Sequence, residues 1–163
     1  MPGALATGMF WMKLAYTATF GAIAILAVER LSRPSASLGA RLVWLTVPGL
    51  VIAVAAAARL MSSPPDSARD LIMGHSWRLC PWCIALTATP VFAALIWALR
   101  GLAPTRLRLT GALAGLAAGG LGAAVYSLHC PEAAAPFVAV WYSLGMVIPM
   151  AVGALLGPRL LRW

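Results

Sequence analysis

The chain has 163 residues, of which 62% are hydrophobic and 10% charged, and its mean hydropathy of +0.90 lies outside the range of water-soluble globular domains. Apolar runs of about 18 residues or more recur without amphipathic periodicity, which excludes a soluble helical core and makes lipid the solvent. The net charge of +8, from 12 Lys and Arg against 4 Asp and Glu, is not gathered into a basic patch interleaved with stacking aromatics, so no direct nucleic-acid partner is expected.

The first apolar run covers 9–29 and gives way to a polar connection holding Arg30, Arg33, Pro34 and Arg41. The second, 42–62, stops at Ser62-Ser63-Pro64-Pro65-Asp66, where prolines and small polar residues end a helix. In the loop that follows, Ala68–Met73 reads as one short interfacial turn laying Leu71 and Ile72 on the membrane. Three more runs occupy 81–99, 108–128 and 136–157, each long enough to cross about 30 Å of hydrocarbon at about 1.5 Å per residue. Pro48, Pro90 and Pro149 predict kinks inside three runs. The expected fold class is all-α, a polytopic transmembrane bundle of about five helices forming a single transmembrane domain over 1–163.

Arg30, Arg33, Arg41, Arg100, Arg106, Arg108, Arg159 and Arg162 fall in alternate connections and the C-terminal tail. The positive-inside rule therefore puts these connections and the C-terminus in the cytoplasm, where the eight arginines form the expected partner-facing surface, and puts the N-terminus outside. Lys13 and Arg59 are expected to snorkel outward from their helices. An outside N-terminus with no signal-like start, at Met-Pro-Gly-Ala-Leu-Ala-Thr, implies a preceding helix that entered from the cytoplasm. In the fourth run Gly111, Gly115 and Gly119 lie four apart on one stripe, a spacing that lets helices approach closely in lipid. The expected use is internal packing, with a homo-oligomer contact as the alternative.

All three cysteines fall on the outer side of this topology, Cys80 and Cys83 in Cys80-Pro81-Trp82-Cys83 at the third helix start and Cys130 just after the fourth helix. A periplasm-like compartment permits thiol oxidation there. Pro81 suits the first helical position, and Cys80 at the cap is favoured as a thiolate by free amides and the helix dipole. Cys83 reads equally well as a small hydrophobe. One disulfide can form at a time, within the Cys80/Cys83 pair or from either to Cys130. His75 and His129 are weak candidate metal ligands, since their spacing from the cysteines matches no recurrent zinc pattern. No cofactor is expected.

Several blocks, Ser76-Trp77-Arg78-Leu79-Cys80-Pro81, Leu102-Ala103-Pro104-Thr105, Tyr126-Ser127-Leu128-His129-Cys130-Pro131-Glu132, Pro136-Phe137-Val138-Ala139-Val140-Trp141-Tyr142 and the closing Gly157-Pro158-Arg159-Leu160-Leu161-Arg162-Trp163, occur in an order that resembles the NrsF-type bacterial anti-sigma factors. The resemblance covers nearly the whole chain. It implies a six-helix, multi-pass protein of the bacterial inner membrane that holds an extracytoplasmic-function (ECF) sigma factor inactive and releases it when periplasmic cysteines sense metal or oxidative stress. Cys80 and Cys130 match the family's cysteine pair, and Cys83 is an addition. The family begins with a cytoplasmic segment and a further helix before the block that here reads Phe10-Trp11-Met12-Lys13-Leu14, so the sigma-binding segment is expected upstream of this chain. The rival reading is a quinone-linked thiol oxidoreductase of the disulfide-forming or vitamin K epoxide reductase type. It suits Cys80-Pro81-Trp82-Cys83 but lacks a second cysteine pair.

Overall fold

The computed structural model describes residues 8–31, 43–102, 104 and 106–162. Five helices are long and apolar enough to cross a membrane. We number the helices α1 (Gly8–Leu31), α2 (Thr46–Met61), α3 (Ala68–Met73), α4 (Cys80–Arg100), α5 (Leu107–Ser127) and α6 (Ala135–Leu160), of which only α3 is too short to span. No strand occurs among the described residues.

Helix α5 is the axis of the bundle. Its composition is Gly, Ala and Leu with few branched side chains, so neighbours pack against nearly bare backbone, and 67% of its apolar window is buried. A Cβ at Gly111 would strike the Gly153 carbonyl, one at Gly115 the Pro149 carbonyl, and one at Gly119 would lie 2.9 Å from the Met146 Cα. The stripe expected to pack internally therefore forms a seam with antiparallel α6. A second face of α5 meets α1, where a Cβ at Gly120 would fall 2.5 Å from the Gly21 nitrogen. A third meets α4, where the Thr87 hydroxyl donates to the Gly122 carbonyl at 3.1 Å. Hydroxyl-to-carbonyl bonds of this kind hold helices together where lipid supplies no hydrophobic drive.

Helix α2 stands apart, with 17% of its window buried. Its C-terminal end contacts the start of α6, and it splays from α1 to leave an apolar groove of about 410 Å³ lined by Met12, Tyr16, Ile23, Trp44, Val51 and Ile52 among others. Pro48 lies in its first turn, where the missing N–H breaks no bond. Pro90 and Pro149 are inside α4 and α6. Near its start α6 runs through a π-helical turn, Val138–Tyr142, that periodicity could not reveal. Turns of this kind occur most often at functional sites.

The expected Ala68–Met73 turn is α3. It folds back because Gly74 adopts φ +53, a left-handed conformation that a side chain would also block, since a Cβ there would approach Glu132 and Phe137 within 2.8 Å. Helix α1 runs to Leu31, so Arg30 belongs to it and not to the connection.

Candidate functional site

The two ends of the bundle differ in chemistry. At one end lie the α1 C-terminus, the α4 C-terminus, the α5 N-terminus and the α6 C-terminus, with Arg30, Arg100, Arg106, Arg108, Arg159 and Arg162 all exposed. There the Arg100 Nε donates to the Leu160 carbonyl at 2.8 Å, fastening α4 to α6. Arg33 and Arg41 lie outside the described residues.

The opposite end holds the cysteines. Cys80 opens α4 and is 0% exposed, while Cys130, three residues past α5, is 6% exposed. Both thiols are free, and both lie in one buried cluster that brings Cys80 beside Cys130. Cys83, one turn further along α4, is half-buried and also free. The fold thus juxtaposes Cys80 with Cys130, one of the pairings that the spacing had left open.

The expected thiolate at the Cys80 cap is not what the geometry favours. Leu79 occupies the N-cap, and the Cys80 N–H is already bonded to the Ser76 carbonyl at 2.9 Å, so the free amides that would stabilise an anion are absent from Cys80. Negative charge is instead best accommodated on Cys130. The Cys80 thiol donating to its sulfur holds the Cys130 pKa well below the usual thiol range, and burial opposes this. The Glu132 backbone N–H, the Tyr142 hydroxyl and the positive Lys13 ammonium act in the same direction as Cys80. The Tyr142 hydroxyl is buried with no regular hydrogen-bond partner and can turn to the Cys130 anion. Ser76 Oγ approaches the Cys130 sulfur at 3.9 Å.

Lys13 differs most from expectation. It does not snorkel outward but is 1% exposed, its Nζ donating to the Cys130 carbonyl at 2.8 Å and to the Glu132 carbonyl at 2.9 Å. It also stands 5.5 Å from the Tyr142 ring centroid. Two unpaired loop carbonyls and an aromatic face offer the ammonium a better place than the lipid boundary.

The segment from Ser62 to Leu79 lies over this end. The Trp141 Nε1 donates to the Ile72 carbonyl at 2.8 Å, Trp77 and Trp141 rings sit 5.1 Å apart, and Glu132 accepts the His75 backbone N–H at 2.8 Å. The His75 ring is exposed and 3.6 Å from Glu132, and His129 is exposed beyond the helix end. No cluster of His, Cys, Asp and Glu with metal-holding geometry occurs among the described residues.

With this geometry in view, comparison with known proteins is informative. The family model "NrsF: Negative regulator of sigma F" matches residues 1–163. The chain belongs to the NrsF family. It is similar to the probable anti-sigma-F factor NrsF of Azospira oryzae, 46% identical over 164 residues that cover 98% of this chain and 75% of that protein. It is also similar to the anti-sigma-F factor NrsF of Caulobacter vibrioides, 44% identical over 160 residues covering 95% of this chain and 73% of that one. Both relatives carry regulatory and not catalytic names. No solved structure matches the chain.

Within the NrsF fold described here, Lys13, Tyr142, Glu132 and Gly74 complete the thiol site, and none was singled out for that role from sequence. A lone lysine in the first apolar run was the signal available, because an ionisable residue at membrane depth is expensive unless it has a dedicated partner.

Proposed function

We propose that this NrsF protein is a membrane anti-sigma factor that holds an ECF sigma factor inactive and responds to oxidant or thiophilic metal through Cys80 and Cys130. Family membership and the names of the two relatives support the sigma-factor partner. The observation that carries the sensing role is a pair of free, buried thiols brought into one cluster from α4 and the end of α5. In this reading the cysteine end faces the periplasm and the arginine end faces the cytoplasm of the inner membrane, as the positive-inside rule requires.

The chemistry is balanced within the pair. With hydrogen peroxide as oxidant, the Cys130 thiolate attacks one oxygen and becomes a sulfenic acid, and the hydroxide that leaves takes a proton from solvent to become water. The Cys80 thiol then attacks that sulfur, forming the disulfide and releasing a second water. Two electrons pass from the thiols to the O–O bond. A thiophilic divalent cation would instead displace the Cys80 proton to solvent and take the two sulfurs as ligands. Either product removes the Cys130 negative charge and ties the two sulfurs together, biasing the packing of α4 against α5, which has to have two arrangements about 3 kcal/mol apart.

The exposed arginines at the opposite end are the proposed docking surface for the sigma factor. The oxidoreductase reading is disfavoured, because Cys80 shares its buried cluster with Cys130 and not with Cys83, and the relatives carry regulatory names. The test is a sigma-dependent reporter in cells carrying the complete protein. A Cys80→Ser/Cys130→Ser variant should keep the reporter silent under peroxide or cadmium, whereas Cys83→Ser should respond as wild type. A normal response from the double variant eliminates thiol sensing, and failure of the purified complete protein, with any segment upstream of this chain, to retain an ECF sigma factor eliminates the partner.

A further inference from the structure

We infer that the crevice between α4 and α6 at the cysteine end of the bundle binds one phospholipid with an anionic headgroup, its phosphate held by Arg78 and an acyl chain laid against Leu144 and Ile148. The crevice has a volume of about 340 Å³. Its upper part is built from Trp77 and Arg78, in the connection that leads into α4, and from Trp82 in the first turn of that helix. Its back wall descends α6, where Trp141, Leu144 and Ile148 follow at helical spacings of three and four and so share one face.

The upper end offers a cation with nothing to answer it. The Arg78 guanidinium lies over the Trp77 ring, 5.1 Å from its centroid, which orients the side chain and leaves its N–H donors open. Arg78 is exposed, and among the described residues no ion pair engages it. A planar fork of this kind matches two phosphate oxygens at once. The rings around it are held in place, because the Trp141 Nε1 donates to the Ile72 carbonyl at 2.8 Å and the Trp77 and Trp141 centroids are 5.1 Å apart. The headgroup therefore meets a preformed surface and orders little on arrival.

The lower end is apolar and open to the bilayer, with Leu144 43% exposed on a helix long enough to span it. A free phosphate would use the upper end alone, whereas a lipid uses both, and this decides the occupant. A zwitterionic headgroup would bring an ammonium beside the guanidinium, so an anionic one is preferred. Tryptophans at a membrane interface are ordinary. What makes this a site is the unpaired cation at the head of a concave apolar wall. Trp77 and Trp141 also pack against the buried cluster that contains Cys80, Cys130 and Tyr142, so the lipid sits one layer of side chains from the thiols.

The test is native mass spectrometry of the purified full chain in detergent, titrated with phosphatidylglycerol or with phosphatidylcholine. Wild type should take up one phosphatidylglycerol about tenfold more tightly than phosphatidylcholine. Arg78→Gln should erase that preference. Arg69→Gln removes an exposed arginine of α3 that does not line the crevice, and should keep phosphatidylglycerol affinity within about twofold of wild type. Leu144→Trp, which fills the lower wall, should weaken both lipids about tenfold. Glycerol phosphate in large excess should leave the bound lipid in place.

Equal affinity of wild type for the two lipids overturns the inference, as does a loss in Arg69→Gln as large as in Arg78→Gln, which would mark general attraction between charges. Displacement by glycerol phosphate would make the crevice a free-phosphate site and overturns the lipid. Should Arg78→Gln fail to fold, Leu144→Trp decides alone, loss of binding supporting the inference and retention overturning it. These titrations involve no sigma factor and no oxidant, so this inference and the proposed function can fail separately.

Discussion

Helix α5 and helix α2 are both apolar enough to span a membrane, yet the protein uses them in opposite ways. In α5 the side chains are mostly missing and the backbone itself is the packing surface, so α1, α4 and α6 all come within van der Waals distance of it. In α2 the side chains are present and face outward, with Leu50, Val51 and Val54 exposed and an apolar groove left against α1. Hydropathy is the same currency in both and does not separate them. What separates them is whether a neighbour can reach the backbone, because association in lipid depends on close packing and not on removing apolar surface from water.

The strongest way to break that contrast is to add one methyl group to each helix. Gly115→Ala forces a Cβ against the Pro149 backbone, which has no flexible end to yield, and should cost about 3 kcal/mol or more. Gly49→Ala in α2 meets nothing nearer than the Phe20 ring at 3.8 Å and should be neutral or stabilising by up to about 1 kcal/mol. Denaturant titration of the purified protein in detergent, followed by circular dichroism, measures both, and equal effects would dissolve the distinction.

A smaller effect is expected from truncating side chains on the two faces of α4. Ile84 is 0% exposed, packing against Gly145 at the thiol end, and Ile84→Ala should cost about 2–5 kcal/mol. Leu86 is 73% exposed, and Leu86→Ala should stay within about 0.5 kcal/mol. The same titration decides between them.

The mildest effect is a pH dependence, again of a buried group against a peripheral one. Cys130 has its pKa lowered in the fold, so the stability it contributes is fully present above the usual thiol value of about 8.5 and declines as pH falls toward its folded value. Midpoints of denaturation should therefore drop between about pH 8 and pH 6 in wild type and less so in Cys130→Ser. A Cys130→Ser curve parallel to wild type would remove Cys130 as the source.

Much of this fold was legible from residues alone. That five helices are long and apolar enough to span a membrane is legible as five apolar runs, because a helix that crosses lipid has to satisfy its own backbone. The Ala68–Met73 turn and the glycine stripe were legible for local reasons, prolines in one case and spacing in the other. The assignment of Lys13 failed because snorkelling and burial start from the same position on a helix. They differ only in which loop carbonyls lie across the bundle, 117 and 119 residues away in sequence. The Cys80 thiolate failed similarly, since the acceptor that silences its amide belongs to Ser76, in a loop whose path depends on one left-handed glycine. The π turn at Val138–Tyr142, which brings Tyr142 under the thiols, has no periodic signature to read.

The glycine seam also dictates an order of assembly. Its two halves, Gly111 to Gly119 on α5 and Met146 to Gly157 on α6, leave the ribosome in succession, so at about 5–20 residues per second α5 waits for some seconds before its partner is made. During that interval its bare backbone face has only α1 and α4, already inserted, for company. The nascent protein therefore passes through a stage at which α5 lies in the membrane with its glycine face uncovered, and the arrival of α6 closes it.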